Sequence, residues 1–411
     1  MRTYTIVAIS YPNYEGITVL TRQRAFKEAI PAVLLVMIIV MFSNFSRAVM
    51  SPLLVNIAEE FQLTAGPASR LYLIISIFFS ASLLSSGYIS SKISHRLTIL
   101  CSAMVLFLAL VIIGLSVHIR MLHVGMALVG IGAGLYPASG LSLLNSLVHD
   151  QDRQKAISLH EIGPNLAMLL APLFANLFLS LSSWRMAYAV LGVTTLVSGL
   201  VFYYRIDGGY ERGHPPTRAV LFQLLRNPSF LLMTLLIGLG ISSIQGVYAL
   251  LPMYLVHEVG MDPQRANSIF ALSRIAPLIS LMTLGWLPGR IGIRRSVRLF
   301  LLLAGLFTML IGIGHGSILI LLVILQPAAG ALIVPSALGG IQDINRETSV
   351  SVIFSFMLPI STLIATGIVP TFLGFMGDYV SFSAGFVIFG FVLMVMGLVA
   401  VYGIAQEKTV T

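Results

Sequence analysis

Three charged side chains stand deep inside otherwise apolar sequence: Arg47, Glu161 and Arg274. A charge buried in an apolar helix costs roughly 2.5–3.5 kcal/mol even on the most forgiving insertion scale. Such residues therefore need a reason. A guanidinium is a permanently charged planar fork that matches a carboxylate or phosphate in bidentate fashion. Two buried arginines against one buried glutamate leave a surplus of positive charge, which a bound anion would neutralise. On this reading Arg274 holds the anion and Arg47 a second anionic or polar group. The plainer alternatives are an Arg274–Glu161 pair, and an Arg47 that bonds helix carbonyls or hydroxyls or reaches outward along its apolar stem. Glu161 is placed to carry a proton, with the adjoining His160 as a relay; its alternative is a gate salt bridge to a loop base such as Lys155 or Lys92.

The elements that position these groups are membrane helices. Of 411 residues 57% are hydrophobic and only 9% charged, against about 25% charged in an ordinary soluble domain. A spanning helix needs about 20 mostly apolar residues. Twelve stretches meet that length: 31–57, 71–91, 97–117, 121–147, 156–180, 184–204, 229–254, 266–287, 297–314, 316–339, 349–376 and 380–404. The expected fold is an all-α integral membrane protein whose spans form two pseudo-symmetric six-helix bundles, 31–204 and 229–404. A polar linker over 205–228, carrying GG, PP and four arginines, joins them. Residues 1–30 and 405–411 read as tails, since IVAIS followed by Pro12 and Asn13 makes a poor signal peptide.

Basic residues give the orientation. Of 24 lysines and arginines, Arg70, Arg120, Arg185 and Arg265 fall on one side, and Arg47 and Arg274 lie within spans. The other eighteen sit with the termini, so both termini are expected in the cytoplasm, across a cell inner (plasma) membrane. This placement explains the net charge of +9 without a nucleic-acid partner. The expected partners are the lipid bilayer and a small-molecule substrate, with the protein a monomer.

The halves repeat. A shift of 198 residues carries position 31 onto 229, Gly87 onto Gly285, Gly132 onto Gly330 and Pro137 onto Pro335. Parallel repeats of this kind place a substrate site between the halves near the membrane midplane. Gln245 is the repeat mate of Arg47, and Tyr248 lies one turn further on. With Tyr136 and Gln326, on the fourth and tenth stretches, they are candidate substrate contacts, or helix-to-helix hydrogen bonds. Gly163, Ala167, Ala171 and Ala175 form a small-residue stripe, read as packing between the halves.

Twelve helices in two halves, a long middle loop and repeated loops after the second and eighth helices resemble the major facilitator superfamily. Its loop signature runs glycine, three residues, aspartate, basic, any residue, glycine, then basics. The second copy here reads Gly285-Trp-Leu-Pro-Gly289-Arg290-Ile-Gly292-Ile-Arg294-Arg295. The first reads Gly87-Tyr-Ile-Ser-Ser91-Lys92-Ile-Ser-His95-Arg96. Both lack the aspartate. The resemblance assigns Gly87, Lys92, Arg96, Gly285, Arg290 and Arg294 to an inner gate. It implies a secondary transporter that rocks one half against the other, and helices 1, 4, 7 and 10 lining the cavity. Arg274 also resembles the substrate-binding helix-8 arginine of the monocarboxylate transporters and the oxalate/formate exchanger. Phe270 stands where the former carry an acid one turn earlier.

No GxxxxGK[ST] loop, CxxC or HExxH spacing, or evident Ser, His and Asp arrangement is present, so no cofactor, metal site or enzymatic activity is expected. The expected function is movement of a small, carboxylate-like organic anion, with proton coupling through Glu161. The alternatives are a proton-driven drug exporter and a non-transporting sensor on the same scaffold.

Overall fold

Inside a bilayer no water satisfies the backbone, so a spanning segment must close its hydrogen bonds within itself. The computed structural model, which describes residues 5–9, 19–23, 25–213, 218–338 and 350–403, does this with twelve spans. They are Phe26–Glu60, Ala65–Ile93, His95–Gly114, Ile119–Leu147, Asp150–Leu181, Trp184–Arg205, Pro228–His257, Pro263–Leu284, Ile293–Ile313, Gly316–Ala337, Val352–Tyr379 and Phe382–Val399. Several run longer than the apolar sequence requires. The ninth begins early enough that Arg294 and Arg295 ride on its first turn instead of in a loop. Two short pieces stand outside the spans: helix Arg218–Leu225, and an antiparallel ribbon of β1 (Thr5–Ile9) and β2 (Val19–Gln23) in the expected N-terminal tail. The expected C-terminal tail and residues 214–217 of the expected linker lie outside the described residues.

Two compact units form, and they do not follow the sequence repeat. The first holds Met1–Ala48, Ala81–Met168 and Arg185–Pro216; the second holds Val49–Ser80, Leu169–Trp184 and Thr217–Thr411. In the first unit the core is Val33, Val36, Ile39 and Val40 packed with Tyr136, Leu143, Leu147 and Phe202. Gly163 packs here too: a methyl group on it would come 2.6 Å from the Met37 carbonyl. This end of the small-residue stripe therefore serves contact with the first span, in the same sequence half.

The second unit ties parts of the first, second and fifth spans to later spans, the fifth through Asn176 Oδ1, which accepts from Asn267 Nδ2 at 3.0 Å. Ser51 Oγ donates to the Tyr248 carbonyl (2.6 Å), Ser80 Oγ to the Pro359 carbonyl (2.7 Å) and Asn267 Nδ2 to the Pro52 carbonyl (3.3 Å). Asp378 accepts from Thr64 Oγ1, the Ala65 amide and the Gly66 amide at 2.7–2.8 Å, capping the second span where its first amides have no helical partner.

The 198-residue shift reaches finer detail than residue identity. Ser94 (φ 93°, ψ 159°) and its mate Gly292 (φ 84°, ψ 155°) share one backbone conformation at the start of the third and ninth spans. Glycine adopts it freely and serine does not. Likewise Glu258 accepts from the Phe382 and Ser383 amides, while its mate Glu60 accepts from Nε1 of Trp184, the mate of Phe382.

Candidate functional site

In the second unit, the eighth span is broken where its charge lies. Helix Pro263–Ser273 ends, Arg274 turns at φ −76°, ψ −11°, and the helix resumes at Ile275–Leu284. Pro277, lacking an N–H, cannot bond the carbonyl four residues back, which is that of Ser273. The Arg274 amide bonds instead to Ala271 O at 3.0 Å, a tightened turn. The side chain is 5% exposed. Nε and Nη2 donate to Ser273 Oγ at 3.2 and 3.1 Å. The guanidinium carbon lies 5.0 Å from the Tyr248 ring centre and 5.1 Å from that of Phe270, and the two rings are 4.3 Å apart. Ring faces attract a cation, by about 2 kcal/mol or more where water is removed. They cannot neutralise it. Nη1 is buried without a hydrogen-bond partner, and among the described residues no ion pair reaches this arginine. One edge of the fork is therefore held by Ser273, and Nη1 remains with donors to spend.

The seventh span supplies Tyr248 just past a π-helical turn, Ser242–Gly246, that contains half-buried Gln245. Such turns often mark functional sites. Gln326, 1% exposed, donates to the Ser243 carbonyl (2.6 Å) and Thr308 Oγ1 (3.1 Å), so it ties the bulge to the ninth span. Gly330 makes room: a methyl group there would come 2.5 Å from Ser243 Oγ. Of the expected substrate contacts in this unit, Arg274 and Tyr248 meet, Gln245 lies in the adjoining bulge, and Gln326 supports that bulge.

In the first unit, Arg47 is half-buried near the end of helix Phe26–Ala48, before helix Met50–Glu60 takes over. Its Nη2 donates to Asn44 Oδ1 (2.8 Å), and Asn44 Nδ2 in turn bonds the Val40 carbonyl (2.9 Å). The repeat mates Arg47 and Gln245 thus both stand at helix irregularities. Elsewhere in the first unit, Tyr136, His160 and Glu161 form a chain. Tyr136 Oη lies 2.9 Å from His160 Nε2 and 3.2 Å from the Val36 carbonyl. His160 Nδ1 lies 3.0 Å from Glu161 Oε1. The two rings are nearly parallel, at 6°. Tyr136 and His160 are buried, whereas the Glu161 side chain is 56% uncovered by protein.

The loop residues take separate places. Arg96 bonds Tyr210 Oη and the Tyr203 carbonyl and lies over both rings, while its amide bonds the Gly209 carbonyl (2.8 Å). It anchors the chain that leaves the sixth span. Exposed Lys92 lies over Tyr88, and Arg290 over Trp286. Gly87 is in the last turns of the second span, Gly285 closes the eighth, and Arg294 opens the ninth. Among the described residues no group of three or more His, Cys, Asp or Glu could hold a metal ion.

Sequence reasoning missed Ser273 and the positive role of Phe270. Phe270 precedes Arg274 by four residues, the spacing that puts two side chains on one helix face. That spacing is visible in the sequence.

The Major Facilitator Superfamily profile matches residues 36–262. Multidrug resistance protein D of Escherichia coli (strain K12) is 24% identical over 187 residues, which is 46% of this chain and 45% of that one. The match thus spans less than half the length of that relative. Among solved structures, a peptide transporter POT in complex with sulfate superposes with a TM-score of 0.77 at 15% identity, over 92% of this chain and 95% of the other. A bacterial homolog of the human lysosomal transporter Spinster, in an inward-facing and occupied conformation, gives 0.73 at 14% identity, over 92% and 96%.

Proposed function

We propose that this chain, which belongs to the Major Facilitator Superfamily, moves a small organic anion across the cell inner membrane. The observation that carries the substrate class is Arg274: a buried guanidinium with aromatic faces, one edge bound by a serine and Nη1 unpartnered. Leaving a buried charge unpaired costs far more than leaving a neutral group so, and a carboxylate at Nη1 removes that cost. Tyr248 and Phe270 shape the approach, Gln245 offers a neutral contact, and Gln326 keeps the bulged turn in register. Arg47 offers a second polar contact, and Glu161 with His160 and Tyr136 carries a coupling proton.

In this reading residues 31–204 rock against 229–404, the anion's unequal contacts with the two states drive the switch, and both termini are cytoplasmic by the lysine and arginine bias. The cluster joining the outer ends of the first, second and fifth spans to later spans is then the closed outer gate, with Asp378 as its cap.

The test is reconstitution in liposomes with radiolabelled mono- and dicarboxylates, wild type beside Arg274→Gln. Uptake of a carboxylate that the variant loses supports the reading; uptake equal in both refutes the arginine's role. A second reading, export of lipophilic drugs, is favoured by the likeness to multidrug resistance protein D. It predicts transport of lipophilic cations with no response to carboxylates.

A further inference from the structure

The Tyr136–His160–Glu161 chain contains a constraint on hydrogens that its heavy atoms alone do not display. Tyr136 Oη is within bonding distance of two acceptors, the Val36 carbonyl and His160 Nε2, but carries one hydrogen. Two arrangements satisfy the same positions. In the first, the phenol donates to Nε2, and Nδ1–H donates to the Glu161 carboxylate. In the second, the phenol donates to the Val36 carbonyl and its oxygen accepts from Nε2–H, while Nδ1 and Glu161 Oε1 share one hydrogen between them. The second holds one proton more than the first. The balance is simple: a proton from solution is added, Nε2 becomes a donor, and the phenolic hydrogen swings from imidazole to carbonyl. No heavy atom has to move.

We infer that Tyr136 is the readout of a one-proton site on His160–Glu161, its hydroxyl binding the first span at Val36 only when the proton is aboard. Several features fit this role. Tyr136 and His160 are buried, at 1% and 3% exposure, so neither faces bulk solvent. The Glu161 end of the chain is uncovered by protein. Gly140 lets the phenol lie along its own helix, since a methyl group there would come 2.5 Å from the ring carbon that bears the hydroxyl. The first span, which receives the readout, also carries Arg47.

The remaining charged and titratable groups of the packed elements are otherwise engaged or outside the chain's contacts. The first span carries Lys27, Glu28, Arg47, Glu59 and Glu60, with Arg47 on Asn44 and Glu60 on Trp184; the fourth carries Arg120 and His123, and His95 Nδ1 of the third lies 3.2 Å from Ser139 Oγ of the fourth. On the fifth, Asp152 binds Lys155 (2.7 Å) and the Phe26 amide (3.1 Å), and Arg153 binds Asp150 (2.8 Å).

This inference rests on the proton-coupling part of the proposed function and is independent of its anion part. The test is nitrogen NMR of histidine-labelled protein in detergent without substrate, the His160 signals being assigned with His160→Asn. Tyrosine ring-carbon labelling runs in parallel, assigned with Tyr136→Phe. At the alkaline end His160 is expected as the Nδ1–H tautomer. On acidification Nε2 gains a hydrogen and the Tyr136 signal shifts over the same interval. Tyr136→Phe keeps the ring but removes the acceptor for Nε2–H, so that gain is lost; Glu161→Gln, altered at an uncovered position, loses it too. An Nε2–H tautomer at the alkaline end, or the same gain in Tyr136→Phe, overturns the inference. Failure of carboxylates to bind leaves this measurement unchanged, so the two readings fail separately.

Discussion

Two buried polar centres in this molecule solve opposite problems. At His160 both ring nitrogens have partners, and the chain ends on a carboxylate that protein does not cover. At Arg274 the charge is permanent, its neighbours are two aromatic faces and one hydroxyl, and among the described residues Nη1 has no partner. A site complete in itself can hold or release a proton without a guest. A site incomplete in itself asks for one. Backbone geometry separates them as well. The Arg274 helix breaks at the charge, whereas the repeat mate of Arg274, Ser76, sits in the unbroken span Ala65–Ile93 and bonds Thr366 Oγ1 at 2.8 Å. The break therefore accompanies the buried cation and Pro277, not the place in the repeat.

The largest effect is expected from supplying the missing anion internally. Phe270→Glu, one turn before Arg274, should abolish carboxylate binding, a loss of roughly 100-fold or more, since a paired guanidinium has no charge left to offer; about 2.7 kcal/mol corresponds to that factor. Isothermal titration of the purified protein measures it, and Glu161→Gln should leave the same affinity within a few-fold. Next is Arg274→Lys, which keeps the charge but loses the planar fork and its stacking on Tyr248 and Phe270; about tenfold weaker binding follows, roughly 1.4 kcal/mol. Equal affinity in that variant would mean that charge alone matters there.

Gly140→Ala sharpens the comparison from the other side. Crowding the Tyr136 ring should cost about 1–3 kcal/mol of stability, seen as a lower melting temperature, with carboxylate affinity unchanged. The smallest effects belong to the repeated loops. Ser94→Gly relieves a backbone conformation disfavoured by roughly 1 kcal/mol, partly offset by loss of the Ser94 cap on the Leu97 amide. Gly292→Ala should destabilise by a similar amount. Melting curves of the two variants should therefore move in opposite directions.

The membrane fold was plain in the sequence because each span is a long apolar run, and length alone identifies it. The repeat was plain because Gly87, Gly132 and Pro137 return at one offset. The same offset would also have paired Glu60 with Glu258 and Ser94 with Gly292, two correspondences visible only once capping and dihedral angles are known. The candidate site was half legible. Arg274 and Tyr248 stand out as a charge and a hydroxyl in apolar sequence, but their meeting depends on which helix faces which, and a single sequence does not encode that in any local pattern. Gln326 shows the limit most clearly: residue type allows a substrate contact or a helix-to-helix bond, and its amide nitrogen reaches both the Ser243 carbonyl of the bulge and Thr308 Oγ1 of the ninth span. The tie between Asp378 and the second span was hidden because it joins residues more than 300 positions apart.

The central claim is that Arg274 is charged, buried and waiting for an anion. The most direct measurement is a thermal-shift screen of purified protein against mono- and dicarboxylates, phosphate esters and lipophilic cations, with Arg274→Gln beside the wild type. A ligand that binds the folded state raises its apparent melting temperature by mass action. The account predicts a carboxylate that stabilises the wild type and leaves Arg274→Gln unmoved. A shift produced only by lipophilic cations, or an anion shift that survives the substitution, would contradict it.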